Sequence, residues 1–141
     1  MLPPVLQQFI HVYETLQKGQ WERLADIYAP DIHFQDPLHQ IQGLEALQNY
    51  FAQLYTHLRS CHFVIKDVCH QEQQAFITWN MTFIHPRLQG GKEITVEGAS
   101  HLRFEEKITF HRDYTDLGQM LYEHIPVLGS VIQLLKRRAV A

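Results

Sequence analysis

Two cysteines, Cys61 and Cys69, are all that 141 residues contain, far too few for a disulfide scaffold. Both fall in one stretch that reads as a strand, which would hold them too far apart to bridge. Free thiols, and with them a reducing cytoplasm, are the expectation. An excess of positive charge is missing too. Lys and Arg number 12 against 15 Asp and Glu, a net charge of −3, so there is no electrostatic footprint for nucleic acid. The basic cluster Lys136-Arg137-Arg138 suits the C-terminal end of a helix. No uncharged apolar run reaches membrane-spanning length, and MLPPVLQQF lacks the basic region and long apolar core of a signal peptide. Ten histidines are present, but none shows a ligand spacing such as HExxH, and there is no Gly-rich phosphate loop or nucleophile elbow. These absences leave a protein without metal or cofactor, acting away from membranes and nucleic acid.

What is present suits one globular domain over residues 1–141. Hydrophobic residues make up 45% and charged ones 19%. A chain of this length buries roughly two-thirds of its unfolded surface. Leu6, Phe9, Ile10, Tyr13 and Leu16 are spaced for one face of a helix over 4–18, ended by Lys18-Gly19. A short helix over 20–28 follows, burying Trp21, Leu24 and Ile27 or Tyr28, and Pro30-Asp31 closes it. Ile32, Phe34 and Asp36 then alternate with His33 and Gln35, the period of a strand. Gly43 precedes a third helix carrying Leu44, Leu47, Phe51, Leu54 and Leu58 on one side.

From Ser60 onward the period is two. Residues 61–69, 74–85, 94–105 and 107–116 read as four long strands rich in Val, Ile, Thr, Phe and Trp. The breaks between them are short enough for hairpins, so the sheet is antiparallel or mixed. Leu121, Ile125, Leu128, Ile132 and Leu135 predict a last helix, begun by Pro126. Helices followed by strands give an α+β fold. A strongly curved sheet around the N-terminal helices would form a cone, with a small-molecule pocket between the layers and a C-terminal helix added.

The segments YAPDIHFQDP, QGLEALQNYF and KITFHRDYTDLGQM resemble the nuclear transport factor 2-like superfamily, and within it the SnoaL-like and ketosteroid isomerase-like enzymes. The resemblance covers nearly the whole chain. It implies cofactor-independent isomerase, cyclase, dehydratase or hydrolase chemistry on a hydrophobic small molecule. The alternative is a non-catalytic hydrophobic ligand-binding or dimeric protein-interaction module of the same fold. Ketosteroid isomerases use the Asp of the DP pair as general base, which falls on Asp36. Their oxyanion donors fall beside Val12, with Tyr13 one place on, and on Ser100. Limonene epoxide hydrolases resemble His111 through Asp116, with a catalytic Asp at Asp113, and the rest of their triad lands near Asn80 and Thr82. The Asp of SnoaL-type cyclases answers to Asp113 or Asp116.

Strand parity adds a second line of reasoning. His111 and Asp113 share one face of the last strand, and the resemblance turns that face inward. There they form a candidate acid–base pair, or a plain structural ion pair. Asp36 is a candidate general base, or a turn cap before Pro37. Phe34, Tyr13 and Tyr28 would line the pocket, together with Asn80, Thr82 and Ser100. The same parity turns Ile77, Trp79, Met81 and Phe83 outward, where with Tyr114 they would form a homodimer face.

Overall fold

The computed structural model describes residues 1–116, 118 and 128–140. Helix α1 runs Pro4–Thr15, with Pro4 at the first helical position, where its missing N–H costs nothing. It ends earlier than the expected Lys18-Gly19. Arg23 donates to the Thr15 carbonyl (3.1 Å) and hydroxyl (2.7 Å), satisfying the helix terminus one turn sooner. A 3-10 turn, Trp21–Asp26, buries Leu24 and leads into β1, Tyr28–Gln35.

Strand β1 corrects one boundary. Pro30 and Asp31 do not close a helix; they lie inside the strand, and Tyr28 is its first residue rather than a helical one. Proline is tolerated there because pairing with the neighbouring strand is interrupted between Tyr28 and His33, where a missing N–H breaks no ladder bond. Strand β2, Gln40–Gln42, folds back on β1. Gly43 follows at φ 95°, donating its N–H to the Ile32 carbonyl, and starts α2, Leu44–Thr56. Leu47, Tyr50 and Phe51 are the buried residues of α2, while Leu54 turns to solvent and Leu58 lies beyond the helix in a smaller apolar cluster.

The four long strands are β3 Ser60–Gln71, β4 Gln74–Ile84, β5 Glu93–Phe104 and β6 Ile108–Thr115. The six-stranded sheet has the order β2-β1-β6-β5-β4-β3. It is antiparallel throughout except that β1 runs parallel to β6. The fold is therefore α+β, a curved mixed sheet around the N-terminal helices. Helix α3, Leu128–Ala139, bears Lys136, Arg137 and Arg138 in its last turn. The expected start at Pro126, with Leu121 and Ile125, lies outside the described residues. No helix among the described residues is long and apolar enough to cross a membrane.

The core lies between the helices and the inner face of the sheet, where Leu6, Phe9, Val12, Ile32, Phe34, Leu47, Ile77 and Leu102 are all buried. Strand β4 reverses the expected orientation. Ile77, Trp79 and Phe83 are buried in the core, and Met81 packs against it. Asn80 and Thr82 point to the outer face, where Thr82 hydrogen-bonds Thr95 at 3.0 Å. The apolar stripe covers α1 instead of a second protomer: Phe63 bridges Tyr13 and Trp79 with ring centroids 5.4 Å from each. Gly98 makes this possible. It lies opposite Trp79 in the β4–β5 register, and a Cβ there would be 2.2 Å from the indole.

Candidate active site

Register brings the site together. In the parallel β1–β6 pair, Phe34 lies beside His111 and Gln35 beside Arg112. Asp36 and Asp113 are the next residues along the two segments. In the antiparallel β5–β6 pair, Ser100 lies directly opposite Asp113. Two carboxylates and a hydroxyl thus reach one end of the sheet from three adjacent segments.

His111 is the buried centre, 1% exposed. Its Nε2 lies 2.5 Å from Asp113 Oδ1 and its Nδ1 2.6 Å from the Tyr28 hydroxyl. Tyr28 in turn meets the Tyr13 hydroxyl at 2.6 Å. A carboxylate only accepts, so Nε2 carries a proton and donates to Asp113. The Tyr28 hydroxyl links Nδ1 to the Tyr13 hydroxyl. Both phenols are held well above the usual tyrosine range: Tyr13 by burial and then the Asp113 charge, Tyr28 by burial and then Tyr13. Both stay neutral phenols. Phe34, 1% exposed, packs its ring 4.8 Å from the imidazole and does not face solvent.

Asp113 is held from a second side. Ser100 donates to Oδ1 at 2.5 Å, and the Trp79 indole N–H donates to Ser100 at 2.9 Å. Oδ1 thus takes two donors. Oδ2 has no hydrogen-bond partner among the described residues.

Asp36 is engaged differently. Its Oδ1 accepts the backbone N–H groups of Leu38 and His39, both at 2.8 Å, and its Oδ2 accepts the Tyr50 hydroxyl. His39 Nδ1 lies 3.1 Å from the same hydroxyl. Asp36 is therefore a turn cap and the acceptor for Tyr50. Burial, the hydrogen bond to Asp36, and the charges of Asp36 and Asp113 together keep the Tyr50 phenol protonated.

Two spaces adjoin these groups. Between sheet and helices, Phe9, Tyr13, Phe63, Ile65, Trp79, Ser100, His111 and Asp113 enclose only about 10 Å³. Side chains fill that interior. At the mouth, an open cleft of about 480 Å³ is bounded, among the described residues, by Gln35, Asp36, Pro37 and residues 112–116. Asp113 borders both. Asp116 lines the cleft and pairs with Lys136 at 3.6 Å.

Of the sequence candidates, Tyr13, Tyr28, Ser100, His111 and Asp113 form one connected network, and Asp36 joins them at the cleft. Asn80 and Thr82 take no part. Trp79, expected on the outer face, and Tyr50 on α2 also belong to the site. Nothing in period or spacing distinguishes either from a packing residue.

In fold the chain is similar to a protein from Catenulispora acidiphila with a ketosteroid isomerase-like fold, solved with trimethylamine: 18% identity, 86% of this chain and 92% of that one, TM-score 0.74. It is also similar to a nuclear transport factor 2-like protein of unknown function from Burkholderia pseudomallei, at 14% identity, 85% and 96% coverage and TM-score 0.74. TerC co-crystallised with polyporic acid matches at 14% identity, 81% and 92% coverage and TM-score 0.70. No curated protein matches the chain in sequence. The family model for the SnoaL-like domain matches residues 9–111, from the middle of α1 to His111, and the chain belongs to that family.

Proposed function

We propose that the protein is a cofactor-independent acid–base enzyme acting on a small molecule in the mouth cleft, with Asp113 as the proton-transferring group. One observation carries this reading. Asp113 is the carboxylate that reaches the cleft with one oxygen tied to buried donors and the other without a partner among the described residues. His111 has both ring nitrogens engaged, so it acts through Asp113 and does not touch the ligand. Asp36, its oxygens already taken by three donors, walls the cleft beside it. A carbon acid α to a carbonyl would give its proton to Asp113 Oδ2, the first step of a cyclisation, and return of that proton at another position would complete an isomerisation. The cleft volume falls within the range of small-molecule sites. Trimethylamine and polyporic acid in the fold relatives show that small molecules accompany this fold there.

The test needs no knowledge of the natural substrate. A panel of aryl ketones and 1,3-dicarbonyl compounds is incubated in D2O and α-deuteration is followed by proton NMR. Exchange above the buffer rate, reduced by about 10²–10⁴-fold in D113N, supports the reading. Ligands that bind at the cleft without exchange in any case would make this a binding protein.

The outer face favours one further reading, self-association. Val64, Phe76 and Tyr114 lie 56%, 51% and 50% exposed on it, in place of the buried Trp79 stripe. Sedimentation equilibrium showing a dimer that F76D dissociates would support this, and a monomer at all concentrations would end it.

A further inference from the structure

We propose that Trp79 and Ser100 are positioning residues for Asp113, a second hydrogen-bonded arm that fixes which carboxylate oxygen is presented to the cleft. This rests on the acid–base reading above. Three adjacent strands build the arm. Ser100 on β5 pairs with Asp113 on β6 and with Ile77 on β4, so Trp79 stands diagonally across from it, two residues along β4. Directly opposed residues have Cβ atoms about 5 Å apart, a span that the short serine hydroxyl closes in one bond. Its geometry is 2.5 Å to Asp113 Oδ1 and 2.9 Å from the indole nitrogen.

The direction of the arm follows from donor chemistry. An indole N–H can only donate, so Ser100 accepts from Trp79 and its own proton is committed to Asp113. Ser100 is 2% exposed and Trp79 5%, so no solvent competes for either bond. His111 donates to the same oxygen from the other side. With two donors converging on Oδ1, the carboxylate cannot rotate without breaking both, which leaves Oδ2 as the oxygen without a partner among the described residues. Gly98 anchors the far end. Its missing side chain admits the Trp79 ring, whose nearest atom would sit 2.2 Å from a Cβ at that position. The serine hydroxyl is thus spent inward and does not face a ligand.

A spectroscopic cycle tests this without any activity. Trp79 does not bond Asp113 directly, so its indole N–H resonance should move in D113N only through Ser100. In 15N-labelled protein, D113N is expected to shift that resonance while Trp21 stays in place, and S100A/D113N should match S100A. A D113N spectrum with Trp79 unmoved, or a shift that persists in the S100A background, overturns the arm. In the exchange assay, S100A and W79F should each lower kcat about tenfold with KM unchanged, with S100T recovering most of the S100A loss. Equal loss in kcat and rise in KM would mark a merely structural role. Should the wild type exchange no probe, the acid–base reading fails while the resonance cycle still decides the arm.

Discussion

Replacing Tyr28 by Phe removes one oxygen and strands two partners. The Tyr28 hydroxyl is the link between Tyr13 and His111 Nδ1, 2.6 Å from each, and all three side chains are buried. A phenylalanine keeps the ring and its packing, so the loss is confined to hydrogen bonding. Each buried polar group left without a partner costs about 1–3 kcal/mol, which puts Y28F at about 3 kcal/mol. Y13F should be milder, about 1 kcal/mol, because Tyr28 keeps its bond to His111 and loses only one partner. The double variant separates a chain from two independent contacts. In the Y28F background the Tyr13 hydroxyl is already an orphan, so removing it relieves a penalty. Y13F/Y28F should therefore be more stable than the two single losses added together, by about 1–2 kcal/mol. Urea unfolding of the four proteins, with the slope unchanged among them, measures this directly. Equal costs for the two single variants, or strict additivity, would refute the relay.

Three other outcomes follow from the same structure. G98A should lower the urea midpoint through overpacking of about 1–3 kcal/mol, with a changed Trp79 emission, since its Cβ would overlap the indole; an unchanged midpoint would show that the ring is not seated there. D36N should destabilise by about 1–2 kcal/mol and shift the Tyr50 environment, because it loses a charged acceptor for two backbone N–H groups and a phenol; near-ultraviolet circular dichroism and urea melts read both. Alkaline titration should show Tyr13, Tyr28, Tyr50 and Tyr55 silent at 295 nm while the fold persists, since burial first of all raises each phenol. Burial also lifts Cys61 from 9.0 to about 11. Groups raised in the folded state contribute fully below their unfolded values, so the contribution of these five should be constant to about pH 9 and be lost as pH rises beyond it.

That His111 and Asp113 share a face was legible because side chains two apart on a strand point the same way, while the inward turn of that face came from the resemblance. Strand β4 was misread for the opposite reason. Both of its faces carry residues that suit a sheet, Ile77, Trp79, Met81 and Phe83 on one and Phe76, Thr78, Asn80 and Thr82 on the other. Carrying over the polar pair from a resemblance inverted it, although burial of the larger apolar stripe is the physically simpler choice. Pro30 looked like a helix stop because its missing N–H is visible in sequence, whereas the interrupted pairing that accommodates it is not. For Asp36 both local readings were open, and the three donors on it come partly from the adjacent turn and partly from Tyr50 on α2. The Tyr13–Tyr28 bond joins α1 to β1 across the core, and the Trp79–Ser100 bond joins two strands diagonally. Contacts of that kind depend on packing that no spacing rule encodes.

The measurement closest to the central claim is the ratio of exchange rates in D113N and D36N on one carbon-acid probe, each against wild type and each checked for folding. A loss of about a hundredfold or more in D113N with less than tenfold in D36N would place proton transfer on the carboxylate tied to His111. The reverse order would contradict it, moving the chemistry to Asp36 and leaving the buried histidine network a structural feature.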